Sequence, residues 1–178
     1  MEKLKNKDLE RISIEEFKKS RKTPITIVLD NVRSSLNVGS VFRTSDAFLI
    51  EKIILCGITP TPPNKDIRKS ALGSTNSVDW DYENNTIDAV LKLKKNNYQI
   101  IGVEQVKEST MLNNFNISKD PIAIIFGNEV DGVNNDVINL CNEIIEIPQF
   151  GTKHSLNISV SSGIVIWELW NKLVSFKN

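Results

Sequence analysis

The chain has 178 residues, of which 40% are hydrophobic, and its 22 Lys and Arg residues equal its 22 Asp and Glu residues in number. This length and apolar content suit one globular domain with a sizeable core and exclude a disordered chain. A formal net charge of zero excludes a uniformly basic nucleic-acid binder, so any contact with RNA requires a local cluster of positive charge.

The cysteines and the hydropathy pattern bear on the compartment. Cys56 and Cys141 lie far apart and lack the close spacing of metal ligands, which favours a reduced, intracellular chain without a metal site. The sequence contains no charged segment followed by an apolar signal run, and no apolar stretch long enough to span a bilayer. We therefore expect a soluble cytoplasmic protein without membrane contact.

The first 24 residues are highly charged and predict a helical extension. Ser13 and Glu16 have the spacing of a capping box, and the helix is expected to continue to about Lys22 and to end at Pro24. A solvated surface helix and a basic arm that contacts phosphates are both compatible with this charge pattern.

Beyond residue 24, short apolar runs alternate with amphipathic segments. The runs predict buried strands over Ile25–Leu29, Lys52–Cys56, Val78–Tyr82, Tyr98–Val103, Ile122–Phe126 and Ile144–Ile147. The intervening segments predict a helix with Asn37 as N-cap, a short helix before Gly73, and helices over Thr86–Lys95, Asn134–Cys141 and Leu156–Phe176. This alternation predicts an α/β fold in which residues 25–178 form one domain, a mainly parallel sheet with helices on both faces.

Two polar stretches follow buried strands near the C-terminus and predict a ligand site. They run from Phe126 to Gly132 and from Glu146 to Gly163. Ligands of α/β proteins bind at the carboxyl ends of strands. A phosphate-binding loop is excluded, because Val133-Asn134 stands where Lys and then Ser or Thr are required. His154 has no nucleophile elbow beside it, and a lone histidine is more often a loop or packing residue than a catalyst.

Six polar residues in three loops are the candidates for chemistry. They are Asn37, Arg43, Asn128, Glu129, Ser155 and Asn157. Each has a structural alternative, such as an N-cap for Asn37 or a surface ion pair for Arg43. Ser155 and Asn157 could satisfy backbone groups at the start of the terminal helix. Spacing alone therefore gives only a weak site hypothesis.

Three stretches resemble the signatures of the SpoU–TrmH family of SPOUT RNA methyltransferases. They read N-V-R-S-S-L-N-V-G-S-V-F-R-T-S-D-A-F (31–48), F-G-N-E-V-D-G (126–132) and E-I-P-Q-F-G-T-K-H-S-L-N-I-S-V-S (146–161), in the family's order. R-K-S-A-L-G-S (68–74) also resembles a loop of the family. Asn128 departs from the small residue common at its position, and Ser161-Ser162 from the usual alanines. Neither change removes a reactive group.

The resemblance implies an enzyme that transfers a methyl group from S-adenosyl-L-methionine to a ribose 2'-hydroxyl of tRNA or rRNA. It implies that the C-terminal segment is threaded into a deep trefoil knot. It also implies a homodimer, packed through the terminal helix and the helix of the first signature, in which the partner completes each active site. Trp167 and Trp170 suit such an interface, although packing within one subunit is an equal alternative for either.

The resemblance also assigns roles to residues. The positions matched to the cofactor pocket are Gly127, Ile147, Ser155 and Leu156, with Val103 and Glu104 added without a signature. The positions matched to catalysis are Asn37, Arg43, Glu129, Ser155 and Asn157. Arg43 is expected to hold an RNA phosphate while a phosphate oxygen or Glu129 accepts the hydroxyl proton. Asn37, Ser155 and Asn157 are expected to hold the loops and orient Arg43.

Local positive charge is available for RNA contact. The candidate residues are Lys18, Lys19, Arg21, Lys22, Lys65, Arg68, Lys69 and Lys153. Two other interpretations remain open: a catalytically silent RNA-binding assembly factor with the same fold, and a small-molecule-binding α/β domain, which the neutral net charge would suit.

Overall fold

The structure, a computed structural model, describes residues 3–5, 8–117 and 121–175. The strands are β1 (Thr23–Asp30), β2 (Ile50–Cys56), β3 (Asp79–Glu83), β4 (Gln99–Val103), β5 (Thr110–Met111), β6 (Ile122–Phe126) and β7 (Glu143–Glu146). The helices are α1 (Ile14–Lys19), α2 (Ser35–Ala47), α3 (Lys65–Ala71), α4 (Thr86–Lys95), α5 (Asn135–Ile138) and α6 (Ile158–Ser175).

The strands form one seven-stranded sheet in the order β3-β2-β1-β6-β4-β7-β5. All six strand pairings are parallel, which confirms the predicted sheet type. The carboxyl ends of the strands therefore share one edge, and the loops that follow β1, β6, β4 and β7 are neighbours there.

Helices cover both faces of the sheet, because alternate strand residues point to opposite sides. On one face, Ile27 of β1 and Ile124 of β6 pack in a cluster with residues of α1, α2, α3 and α6. On the other face, Val28 and Ile125 pack with residues of α4 and α5. The central strands are thus buried on both sides, which explains their continuous apolar runs.

Several element boundaries differ from the sequence predictions. The N-cap of α2 is Ser34, whose hydroxyl accepts from the backbone N–H of Asn37, so the prediction of Asn37 as N-cap is wrong. The capping box of α1 is confirmed, but that helix ends at Lys19, and Pro24 lies inside β1 rather than after a helix. The predicted terminal helix ran to Phe176, which lies outside the described residues.

The extension packs on the sheet through one aromatic side chain. Phe17 of α1 is buried in the core cluster that contains α2 and α6. The Lys22 ammonium lies 4.6 Å from the centre of the Phe17 ring and donates to the Ser20 carbonyl at 3.0 Å. Lys22 therefore stabilises the end of α1. Within the described ranges, no helix is long and apolar enough to cross a bilayer.

Candidate functional site

A cleft of about 730 Å³ opens at the carboxyl edge of the sheet. Its walls come from the ends of β4, β6 and β7 and from the loops 127–134 and 147–157. All six residues predicted for the cofactor pocket line it: Val103, Glu104, Gly127, Ile147, Ser155 and Leu156. The cleft has the size of pockets that enclose small organic ligands, roughly 300–1,000 Å³.

The loop after β6 is a tight turn whose backbone forms one wall of the cleft. Asn128 and Gly132 exchange two backbone hydrogen bonds of 2.9 and 3.0 Å. A Cβ on Gly127 would lie 2.1 Å from the carbonyl carbon of Gly132, so residue 127 has no room for a side chain. Gly132 has a φ of +69°, a left-handed conformation that favours glycine. These contacts give the physical reason for both glycines of the F-G-N-E-V-D-G stretch.

Asn128 holds this turn against the loop after β1. Its side-chain amide donates to the Asn31 carbonyl at 2.7 Å, and its Oδ1 accepts from the backbone N–H groups of Val130 and Asp131 at 2.8 and 3.2 Å. A smaller residue could not make these bonds. The sequence offered no sign of this role beyond the departure from the small residue.

A carboxylate and two amides join the three signature stretches. Glu129 accepts from the backbone N–H groups of Arg33 and Ser34 at 2.9 and 3.0 Å, and from Asn37 Nδ2 at 3.0 Å. Asn157 Nδ2 donates to Asn37 Oδ1 at 3.2 Å. Glu129 and Asn157 line the cleft, and Asn37 lies between them. The first turn of α2 is therefore held directly against the loops 127–134 and 147–157.

The hydrogen bonds of Glu129 determine its ionisation. Burial acts to raise the pKa of Glu129, but the bonds from the Arg33 backbone and the Asn37 side chain lower it, as do the backbone N–H groups of Glu129 and Ser34. The net effect is a pKa below the ordinary value of 4.5. Glu129 is thus anionic at neutral pH and faces the positive end of the α2 dipole.

Asp30 supports the loops around the cleft, and the sequence interpretation missed it. This buried carboxylate at the end of β1 accepts from Thr86 Oγ1 at 2.5 Å and from the backbone N–H of Asn134 at 3.0 Å. It ties the start of α4 and the end of the loop 127–134 to the centre of the sheet. The available signal was a carboxylate directly after a buried strand.

The loop 147–157 places two of the predicted site residues, Ser155 and Asn157, in the wall of the cleft. Gln105 Nε2 donates to the His154 carbonyl at 2.9 Å, which fixes this loop to the chain after β4. Asn157 Oδ1 accepts from the backbone N–H of Ser159 at 2.8 Å, so its predicted role at the start of the terminal helix is confirmed. Ser155 is exposed and lines the cleft.

Arg43 is not part of the cleft in a single protomer. It is exposed on α2, six residues beyond Asn37, which puts it about 9 Å farther along the helix and on a different side. It makes no hydrogen bond or ion pair with the described residues. None of Asn37, Ser155 and Asn157 hydrogen-bonds to it, so these residues do not orient Arg43 through a direct bond within one chain.

The basic residues predicted to contact RNA fall into two groups. Three from the extension have partners in the protein: Lys18 pairs with Asp79 at 3.3 Å, Lys19 pairs with Glu15 at 2.6 Å, and Lys22 caps α1. Asp79 begins β3, so Lys18 lies at the amino edge of the sheet, away from the cleft. The other five are Arg21, Lys65, Arg68, Lys69 and Lys153, which are exposed and have no ion pair with a described residue.

The structure adds little support for other chemistries. Among the described residues, no group of three or more His, Cys, Asp or Glu side chains could hold a metal ion. Burial raises the pKa of the Cys56 thiol to about 12 and that of Cys141 to about 11, which leaves both thiols protonated and unreactive.

Comparison with known proteins is consistent across sequence and structure. The sequence pattern described as the SpoU rRNA Methylase family matches residues 24–167. The chain is 32% identical over 145 residues to the 23S rRNA (guanosine-2'-O-)-methyltransferase of Neisseria meningitidis, an alignment that spans 82% of this chain and 57% of that enzyme. It is 28% identical over 156 residues to the tRNA (guanosine(18)-2'-O)-methyltransferase of Aquifex aeolicus, which spans 87% of this chain and 72% of that enzyme.

A solved structure extends the similarity to the fold. The AdoMet-bound rRNA methyltransferase of Sinorhizobium meliloti superposes with a TM-score of 0.79 at 25% identity, over 86% of this chain and 58% of that one. The chain thus spans less than two thirds of the length of this protein and of the Neisseria relative.

Proposed function

The chain belongs to the SpoU rRNA Methylase family, and we propose that it transfers a methyl group from S-adenosyl-L-methionine to a ribose 2'-hydroxyl of tRNA or rRNA. The observation that carries this proposal is the junction of the three signature stretches. Glu129, Asn37 and Asn157 are hydrogen-bonded in series at one end of a cleft large enough for a nucleoside ligand. Relatives named as 2'-O-methyltransferases of rRNA and tRNA support the reaction type.

The cleft suits the proposed cofactor. Apolar side chains such as Val103, Ile147 and Leu156 line it together with the turn at Gly127 and with polar side chains. Apolar side chains combined with fixed polar groups are typical of small-molecule and cofactor sites. Because Gly127 and Gly132 carry no side chain, the turn packs closely on itself and on Glu104, which gives this wall of the cleft a fixed shape.

The protein's contribution to the reaction is mainly alignment. S-adenosyl-L-methionine, when bound, supplies an activated methyl group, which passes to the ribose oxygen as the hydroxyl proton leaves. Arg43 would hold the neighbouring RNA phosphate through two N–H groups and stabilise the negative charge that develops on the ribose oxygen. The guanidinium does not act as a base, because it is not deprotonated in proteins.

Glu129, one of the two proton acceptors considered, is already held by hydrogen bonds within the protein. Glu129 already accepts three hydrogen bonds and has a lowered pKa, which makes it a weak base. Its proposed role is to fix the first turn of α2, and through it Asn37, at the mouth of the cleft. Ser155, which is exposed there, is available to the substrate.

We infer a homodimer in which Arg43 of one chain serves the cleft of the other. Val160, Ile164 and Trp167 form an apolar stripe on α6 and are 50%, 39% and 52% exposed. This i, i+4, i+7 stripe is the surface that a second copy would cover. Trp170 instead packs within the subunit, stacked on Trp167 with its ring centre 5.4 Å from that of Phe48.

A deep trefoil knot in the C-terminal segment is part of the same proposal. β6 lies between β1 and β4, β7 lies beyond β4, and the chain then returns to pack α6 against α2. A return of this kind is compatible with a threaded path. We also propose that residues 25–178 are the methyltransferase domain, that residues 1–24 are an extension, and that the enzyme works in the cytoplasm.

The test is transfer of labelled methyl groups. The full chain is incubated with S-adenosyl-L-methionine labelled in the methyl group and with bulk tRNA or rRNA, and the product nucleosides are identified by mass spectrometry. We expect a 2'-O-methylated nucleoside from one RNA class. Binding of cofactor and RNA without any transfer would favour the catalytically silent assembly factor. Absence of cofactor binding would favour a small-molecule domain of another kind.

A further inference from the structure

Glu104 presents a fixed carboxylate in the wall of the cleft. It follows β4 directly and is half-buried. Its Oε2 accepts from the backbone N–H of Val133 at 2.9 Å, and its Oε1 accepts from the backbone N–H of Gln105 at 2.8 Å. A Cβ on Gly132 would lie 2.2 Å from Oε2, so the carboxylate occupies the space that a side chain there would need. The position of this group is therefore set before any ligand binds.

Each oxygen of this carboxylate retains accepting capacity. An ionised carboxylate oxygen accepts about two hydrogen bonds, and each oxygen of Glu104 accepts one from the protein. No Lys or Arg lines the cleft among the described residues, and Glu104 has no ion pair with any of them. Two adjacent acceptor positions thus remain for a ligand in the cleft.

The sheet order separates Glu104 from the polar junction at Glu129. The junction lies where the loops after β1 and β6 meet, whereas β4 is on the far side of β6 from β1. Two strand spacings of ~4.8 Å put the ends of β1 and β4 about 10 Å apart. If the reacting methyl lies at the junction, Glu104 faces another part of the cofactor.

We propose that Glu104 binds the ribose 2',3'-diol of the methyl donor, each carboxylate oxygen accepting from one hydroxyl. This inference rests on the proposed function. The diol is the cofactor's pair of adjacent neutral donors, and it matches two adjacent acceptors on one carboxylate. Dinucleotide-binding folds use an acidic residue after a strand in the same way.

Three ligands distinguish the diol from the two positively charged groups that a carboxylate could bind. S-adenosylmethionine has a sulfonium charge, S-adenosylhomocysteine lacks that charge, and 5'-methylthioadenosine also lacks the amino-acid end with its ammonium group. All three retain the diol. Calorimetry with the wild-type chain and Glu104→Ala should show the same loss of affinity, about 10- to 100-fold, for every ligand. Loss for S-adenosylmethionine alone would assign Glu104 to the sulfonium charge. Unchanged affinity for 5'-methylthioadenosine would assign it to the ammonium. Either result overturns the proposal.

A second comparison separates binding from support of the loop. S-adenosylhomocysteine that lacks one ribose hydroxyl should bind the wild type more weakly than the intact ligand does, and this difference should largely disappear in Glu104→Ala and shrink in Glu104→Gln. A difference of the same size in all three proteins would mean that Glu104 only supports the loop. Glu104→Gln preserves the side-chain size if the alanine variant does not fold.

Glu146→Ala is the matched control, since Glu146 also lines the cleft but its carboxylate accepts from the Ser109 hydroxyl at 2.8 Å. It should retain the hydroxyl-dependent difference, and its loss there would contradict the assignment to Glu104. If the wild type binds none of the three ligands, the proposed function itself fails, which is a separate outcome.

Discussion

The cleft and the exposed face of α2 differ in how completely one chain builds them. In the cleft, Glu129, Asn37 and Asn157 are held by hydrogen bonds that join segments more than 90 residues apart. On α2, Arg43 is exposed and has no partner among the described residues. The polar groups of the cleft are thus fixed within one chain, whereas Arg43 is held by no hydrogen bond or ion pair among the described residues.

This difference assigns separate tasks to the two regions. Groups that must not move while a small ligand binds are fixed beforehand, which reduces the ordering cost of binding. In the proposed enzyme, a cation that binds a phosphate can stay solvated until the RNA and the partner chain bind. On that proposal, the cleft suits the cofactor and Arg43 suits the RNA.

Replacement of Arg43 should have the largest effect, because it should abolish methyl transfer while the cleft still binds the cofactor. We expect Arg43→Ala to lower methyl transfer by at least about 100-fold, because the charge that develops on the ribose oxygen loses its stabilising group. Cofactor affinity measured by calorimetry should not change, since Arg43 does not line the cleft. Arg11→Ala removes an exposed arginine of the extension that is not among the predicted RNA-contact residues, and it should retain most of the activity. Near-normal turnover of Arg43→Ala would refute its role.

Gly132→Ala should damage the cleft and leave the Arg43 surface intact. The new Cβ would lie 2.2 Å from Glu104 Oε2 at a φ of +69°, so the turn or the carboxylate must shift. We expect cofactor affinity to fall about tenfold or more and stability to fall by about 1–3 kcal/mol. Gly151→Ala is the matched control, because nothing lies within 4 Å of its added Cβ. Equal cofactor affinity in the two variants would show that the turn does not shape the site.

The smallest expected effect is on stability and comes from Glu129, whose carboxylate joins the cleft to the start of α2. Its lowered pKa means that the ionised form stabilises the fold at neutral pH, and that this contribution is lost as pH falls below about 4.5 through the lowered pKa. Glu129→Gln should therefore be less stable than the wild type at pH 7 by about 1 kcal/mol and equally stable in acid. Denaturant unfolding across this pH range checks the difference, with Glu108→Gln as an exposed control. A stability difference that persists unchanged in acid would contradict the ionic role.

The sheet could be predicted well from the sequence, because strands buried on both faces appear as continuous apolar runs. The runs at Ile122–Phe126 and Ile25–Leu29 are continuous and apolar, and both lie within observed strands. β5 was missed because a two-residue strand has no periodicity to detect. The N-cap of α2 was placed at Asn37 rather than Ser34 because serines and an asparagine near the helix start are all good caps.

The residues that line the cleft were predicted, mostly from the signatures, whereas the hydrogen bonds that join its loops were not. All six cofactor candidates line the cleft, including Glu104, which lies outside the three signatures. No sequence rule connects Glu129 with the first turn of α2, because that contact depends on the sheet order. The surroundings of the extension were not predicted either: Lys18, a candidate for RNA contact, is paired with Asp79, 61 residues away, at the opposite edge of the sheet.

The most direct test of the claim that Arg43 serves the partner's cleft is to mix two variants, Arg43→Ala and Gly132→Ala. Arg43→Ala retains the cleft and Gly132→Ala retains the arginine, so a mixed dimer holds one complete site if Arg43 acts on the partner's cleft. After subunit exchange, methyl transfer should recover to about a quarter of the wild-type rate, because about half of the dimers are mixed and each has one intact site. Activity no higher than the average of the two variants measured separately would contradict the account.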